Sequence, residues 1–470
     1  MSTQDTLKNG DRPPTVAQQI ARFAASATYG DIPEGGRQRL KTCVLDAIGC
    51  AIGALEMEPM QIIRDQIDDF GGTEHCTLIG GGRSAPDRTA LYNGALVGYL
   101  DFNDSYLGRN GTCHPSDNLA GVLAAAEYAD RTGSELLTAL AVAYEVQCRL
   151  TESLPIMKKG FDHSTLLTCA SAAGISRALG LDEERTANAI AIGCASALAL
   201  TATQSYPLSQ WKGLAAARAV SMCTSTTFLA MRGITGPMQV FEGRQGLFET
   251  VNEEADIDWE HAGFEHVAGI TLKKYDAEVH AQSVVAATLA LRERHAFSPA
   301  DVEAIDVEVF SAACEIAGAG TWGGRRNVHT REDADHSIPY LAAVAILDGQ
   351  VQPAQYVRSR ILSRDVQDLL QRVSVHRRFE YTRRYPEEVP CRVAVELRDG
   401  RTFSVEVQDF EGFHSRPMPL ENVVEKFRRL ASPCASAELQ ERIIETAVEL
   451  EGRTVAELTG LLARPCPPDS

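Results

Sequence analysis

HSTLLTCASAAGISRALGLDEERTANAIAIGCASALAL, residues 163–200, reads as two consecutive helices. Two apolar runs of helical length meet at Gly180, and Asp182 supplies a helix-start signal for the second. Ala, Gly, Ser and Cys dominate their apolar faces, which lets helices approach one another closely. The pattern repeats on both sides. Pro33 opens a helix running through LKTCVLDAIGCAIGAL (40–55), and Asp87 to Asp101 reads as another. HPSDNLAGVLAAAEYAD (114–130) and GSELLTALAVAYEVQCRL (133–150) continue the series. One short β signal, HCTLIGGG (75–82), interrupts it. Ala187 to Thr203 is apolar enough to raise the question of a membrane span. Asn188, Gly193, Cys194 and Ser196 interrupt it, so a wholly buried helix is the expectation.

The character changes near Gly269. ITLKKY (270–275) and VEAIDVEVF (302–310) read as strands, with a helix through AEVHAQSVVAATLALRERH between them. A helix from about Asp335 to Leu347 follows, then VSVHRR, CRVAVELRDG and RTFSVEV, with a hairpin at Asp399-Gly400. After Asp409 helices return, through ENVVEKFRRL, SAELQERIIETAVEL and VAELTGLL. The expected fold is therefore mainly α: a large all-α domain with a smaller α+β domain carrying an antiparallel sheet. The boundaries fall at 1–269 for the first helical part, 270–406 for the α+β domain and 407–470 for helices returning to the first.

With 470 residues, 44% hydrophobic and 23% charged, the chain is long enough for two cores and lacks the composition of a disordered protein. A net charge of −18 argues against nucleic acid or an anionic membrane surface as partner. Twelve cysteines without a CxxC pair indicate reduced thiols, and the polar start MSTQDTLKNGDRPP is not a secretory signal, so a cytoplasmic protein is expected.

Five polar clusters interrupt these helices. The first, YLDFNDSYLGRNGTCHPSDNLAGVLAAAE (99–127), packs Asp101, Asn103, Asp104 and Ser105 together and delivers His114 just before a helix start. A helix N-terminus there offers free N–H groups to an anion. KKGFDHSTL places His163 after Asp162, and SQWKGLAAARAVSM carries Lys212 into a small-residue helix. LKKYDAEVHAQS gathers Lys273, Lys274, Tyr275, Asp276, Glu278 and His280. On a helix Glu278 and His280 cannot face one site, being two apart. GGRRNVHTREDADHS holds Arg325, Arg326, Arg331, Asp335 and His336. No HExxH, iron–sulfur, GxGxxG, P-loop or GxSxG pattern occurs, so no metal and no cofactor is expected. His, Lys, Asp, Glu and Tyr remain, the residue types of proton transfer. A cleft gathering Lys212, Lys273, Lys274 and some arginines on an acidic protein suits a small polycarboxylate.

These segments resemble the MmgE/PrpD family, whose members include 2-methylcitrate dehydratase and cis-aconitate decarboxylase. The resemblance rests on YLDFNDSY…CHPSDNLAGVLAAAE, GFDHSTL, QWKGLAAARA, LKKYDAEVHAQ, TREDADHSIPYLAA and YPEEVPCRVAVELRDG, in this order along the chain. It implies a helical domain built from both chain ends, a smaller lid, a homodimer, and an active site between the domains. It also implies active-site positions at Asp101, Ser105, His114, His163, Lys212 and Lys273. A histidine of the decarboxylase branch is replaced here by Glu278, while His280, ADHS and TCHPSDN resemble the dehydratase branch.

The expectation is a metal-independent hydro-lyase dehydrating a hydroxy tricarboxylate, 2-methylcitrate first. Asp101, His114, His163 and Lys212 are the catalytic candidates, the two histidines sharing the acid and base roles. Ser105, Lys273, Lys274, Glu278, His280, Arg325 and His336 are the substrate-binding candidates, with His336 also readable as a structural helix-start residue. The alternatives are a cis-aconitate decarboxylase or another lyase or epimerase of the family, and, more distantly, a non-catalytic carboxylate-binding protein.

Overall fold

The computed structural model describes residues 13–318 and 325–466; the polar segment Met1 to Arg12 lies outside them. The opening stretch forms the helices Ser164–Leu179 and Glu183–Ser196, the second capped by the Asp182 side chain. It is not one wholly buried helix to Thr203. The chain leaves the helix after Ser196, and Leu198 and Leu200 are half exposed. The Ala199 carbonyl instead accepts from the Asp162 N–H, and the Thr165 hydroxyl accepts from the Ala199 N–H. Those bonds brace the turn that carries His163. No helix among the described residues is long and apolar enough to cross a membrane.

Small residues set the packing here. A Cβ on Gly94 would lie 3.3 Å from the backbone of Ala217, so the helices Pro86–Tyr99 and Ala215–Met231 touch along their backbones. The C-terminal helices Leu420–Ala431 and Ala437–Val448 join the same apolar core through Val423, Phe427, Leu430 and Ile443. Phe427 lies against Gly49 of the early helix Glu34–Gly53, and the buried Lys426 ammonium pairs with Asp46 at 2.8 Å. A second apolar core draws on residues from Ala277 to Phe413, together with Leu107.

That second core is built on a four-stranded sheet. Val302–Val309 lies between Val373–Arg377 and Cys391–Leu397, and Thr402–Val407 forms the far edge. The sheet is mixed, not antiparallel as expected. Val302–Val309 and Val373–Arg377 run parallel because helices, among them Ile338–Asp348, cross between them. The other two pairings are antiparallel, and the last closes through the Asp399-Gly400 turn. ITLKKY forms no sheet strand. It makes one isolated bridge, Thr271 to Ser105, across to the helical domain. Gly412 fixes this extended segment: its φ is +111°, and a Cβ would lie 2.1 Å from the Leu272 carbonyl. The Leu272 N–H donates to the Gly412 carbonyl. The expected helix from Asp335 divides into Arg331–Asp335 and Ile338–Asp348, and the break at His336-Ser337 swings His336 toward Asp101.

Candidate active site

A cavity of about 490 Å³ lies between the two cores. Asp101, His114, His163, Lys212, Glu278, His280 and His336 all line it, although they come from segments up to 235 positions apart.

Asp101 follows the helix Pro86–Tyr99 and adopts a left-handed conformation, φ +51°, which aspartate tolerates better than most residues. Its carboxylate is shared by two ammonium groups. Lys273 Nζ lies 2.9 Å from Oδ1 and donates to the Asp101 carbonyl at 2.7 Å; Lys212 Nζ lies 3.1 Å from Oδ2. Burial alone would raise the Asp101 carboxyl, but Lys212 and Lys273 hold it well below the usual carboxylate range. Burial likewise opposes the Lys212 charge, and Asp101 and Asp335 outweigh it. Lys212 stands on the short turn Gln210–Gly213, which precedes the helix Ala215–Met231. It faces the cavity, whereas Lys273 is fully buried behind Asp101.

His114 is held by its Nδ1, 2.8 Å from the Asp104 carbonyl and 3.0 Å from the Ser105 hydroxyl. A carbonyl only accepts, so Nδ1 carries the proton and Nε2 presents a lone pair. Burial, and after it the Lys273 charge, keep His114 well below the ordinary imidazole value of 6.5. Its neutral form therefore persists as pH falls through 6.5. An NMR titration of the His114 ring is expected to show no midpoint near 6.5. A one-proton midpoint there on the His114 resonances would refute the neutral assignment.

The helix start after His114 is not an anion site, contrary to expectation. Pro115 has no N–H, the Ser116 N–H donates to Asp104 Oδ1 at 2.9 Å, and the Asp117 N–H is bonded to the His114 carbonyl. Asp104 already fills the anion's place. His163 stands beside His114, ring centroids 5.3 Å apart and edge to face. Its Nδ1 lies 3.9 Å from Asp162 Oδ1. Burial would raise Asp162, but His163 and hydrogen bonds from Gln204 and Ser164 hold it at about 2.

On the side of the second core, Glu278 and His280 face the same site. The segment is a 3-10 turn capped by Glu278, not an α-helix, so the two-residue separation no longer divides them. Glu278 Oε1 meets His280 Nδ1 at 2.5 Å, and Oε2 accepts the His280 N–H at 2.9 Å. His336 Nδ1 bonds to the Asp335 carboxyl, and Nε2 lies 3.6 Å from Asp101 Oδ2. Burial, with the Lys212 charge, lowers His336 to about 3, and burial raises Asp335 to about 7.

Four binding candidates lie off the cavity wall. Lys274 turns away from the site and pairs with Glu411 at 2.6 Å. Adjacent side chains of an extended segment point to opposite sides, so Lys273 and Lys274 cannot share one cavity. Lys273 and Ser105 are fully buried and act through Asp101 and His114, while Arg325 is buried near Glu278. The expected arginine-lined cleft is not formed by the fifth cluster. Arg331 reaches Asp276 and the Leu100 carbonyl, and Arg326 the Val373 carbonyl. The cavity's other cationic residues are Arg109 and Lys158. Thr112, Gln204 and Tyr385 also line it, and no spacing rule singles them out.

Asp101, Asp335 and His336 bring three metal-ligand atoms together. Two ammonium groups already contact Asp101, so a divalent ion would meet like charge there. The donor set fits an ion-pair network and does not fit a metal centre.

Models of two domain families match the chain: the MmgE/PrpD N-terminal domain over residues 18–260 and the MmgE/PrpD C-terminal domain over residues 275–451. A 2-methylcitrate dehydratase of Escherichia coli K12 is 25% identical over 432 residues, covering 87% of this chain and 88% of that protein. One from Cupriavidus necator is 26% identical, covering 90% and 92%. Human cis-aconitate decarboxylase is 27% identical over 489 residues, covering 97% and 96%. Together with the two-core helical fold, these matches show that the chain belongs to the MmgE/PrpD family of lyase-type enzymes.

Proposed function

We propose that this protein dehydrates a hydroxy tricarboxylate, 2-methylcitrate to 2-methyl-cis-aconitate, without a metal or cofactor. One observation carries the reading: His114 is neutral, its tautomer is fixed by the Asp104 carbonyl, and its basic nitrogen is free to act in a cavity that also holds an ammonium group. Dehydration needs a base for a C–H proton beside a carboxylate. Negative charge then builds on that carboxylate, where a preorganised cation lowers the barrier. His114 is the base and Lys212 the cation. Asp101, braced by Lys273, orients Lys212, and His163 and His336 line the same cavity. Arg109 and Lys158 add positive charge on the same wall.

Decarboxylation is the second reading, favoured by the coverage of the human decarboxylase over 97% of the chain. Loss of carbon dioxide consumes no C–H proton, so it gives the His114 base nothing to remove. A cytoplasmic location and a homodimer belong to the same proposal: buried free cysteines such as Cys43, Cys113 and Cys223 support the first, and family membership the second.

An inventory of products tests both readings. Purified protein, for which light scattering is expected to give twice the chain mass, is incubated separately with 2-methylcitrate, citrate and cis-aconitate. Loss of water from 2-methylcitrate is expected. Carbon dioxide from cis-aconitate, without dehydration of either hydroxy acid, would replace this reading with the second.

A further inference from the structure

Three segments that share no local sequence meet on the lid side of the cavity. His280 Nδ1 is engaged by Glu278 at 2.5 Å, and its Nε2 lies 3.3 Å from the Tyr385 hydroxyl and 3.2 Å from the Thr112 hydroxyl. His280 lines the cavity but is almost wholly buried, and its Nε2 is engaged by those two hydroxyls, which line the cavity beside it. The Tyr385 ring stacks on Phe310, centroids 4.7 Å apart and planes 13° from parallel, which fixes the phenol's position. Tyr385 and Thr112 both line the cavity that His114 lines from the helical domain.

We propose that Glu278, His280 and Tyr385 form a proton relay whose phenol protonates the departing hydroxyl of the substrate. The proposal rests on the dehydration reading and supplies its acid. His114 Nε2 takes the C–H proton, and the freed electron pair forms the carbon–carbon double bond. The C–O bond breaks, and the departing oxygen takes the Tyr385 proton and leaves as water. The His280 imidazolium passes its Nε2 proton to the phenolate, while Glu278 remains a carboxylate throughout. His114 ends with one proton more and His280 with one fewer, and exchange with solvent restores both. Burial would raise the Glu278 carboxyl, but its pairing with His280 holds it below the ordinary range, so Glu278 rests as a carboxylate. The base then stands on the helical domain and the acid on the lid, with the substrate between them.

The test compares two leaving groups. One substrate is 2-methylcitrate, and the other carries fluorine in place of the departing hydroxyl, because fluoride leaves as an anion without first being protonated. Tyr385→Phe keeps the ring and its stacking. It is expected to lower kcat on the hydroxyl substrate by about 10² to 10⁴, the range for one proton-transfer group. On the fluoro substrate, read as fluoride release, the loss is expected to be smaller by at least about tenfold. His280→Gln is expected to show the same asymmetry, with KM changed far less than kcat. Equal losses on both substrates, or no loss on the hydroxyl substrate, would overturn the relay while leaving the dehydration reading intact. A wild-type protein silent on both would overturn that reading and the relay with it.

Discussion

His114→Gln is expected to lower turnover by about 10² to 10⁴ and to leave the melting temperature close to that of the wild type. Glutamine is uncharged, like the resting imidazole, and close to it in size, so the substitution strands no buried charge in the loop from Asp101 to Ser116. What it loses is the basic lone pair at Nε2, since an amide nitrogen does not take a proton near neutral pH. The neutral state of His114 is what makes that lone pair available, and burial together with Lys273 maintains it. Steady-state kinetics and a thermal melt on one preparation separate the two effects. Near-normal turnover in folded protein would remove His114 from the chemistry.

Asp101→Asn is expected to be among the most damaging substitutions for the fold, and inactive as well. One carboxylate neutralises two ammonium groups, Lys273 fully buried and Lys212 nearly so. Removing the partner of a buried ion costs about 3–5 kcal/mol, because the charge left behind has no solvent to accept it. Denaturant unfolding is expected to show a loss of that order. Adding Lys273→Met to Asp101→Asn removes one stranded charge and is expected to recover part of the stability, since residues in direct contact do not act additively. Activity is not expected to return, because Lys212 has lost the group that orients it. Additive losses in the double variant would contradict the shared-carboxylate account.

The helical architecture is legible in the sequence because its signals are local: apolar runs of helical length, and in some helices a cap such as Thr132 or Asp182. Pairing in the sheet is different in kind. Whether Val302–Val309 meets Val373–Arg377 in parallel depends on the path of the roughly sixty intervening residues, which no local pattern encodes. The site divides along the same line. Asp101, His114, His163 and Lys212 announce themselves as polar residues breaking apolar surroundings, and the cavity gathers all four. Glu278 and His280 are misjudged when a helix is assumed, since a 3-10 turn changes which side chains share a face. Lys273 and Lys274 are equivalent in composition, and only the tertiary position of the Gly412 turn decides which one reaches Asp101. Tyr385 stands 105 positions from His280, so its role exists only after folding.

Running the reaction backward in deuterium oxide shows whether His114 takes a C–H proton in a dehydration. EDTA-treated wild-type protein and His114→Gln are each given 2-methyl-cis-aconitate, and the products are read by NMR. The wild type is expected to form 2-methylcitrate carrying one deuterium on carbon, and the variant to form it at least about a hundredfold more slowly. Hydration by the folded variant at the wild-type rate, or folded wild-type protein that adds no water, would contradict the account.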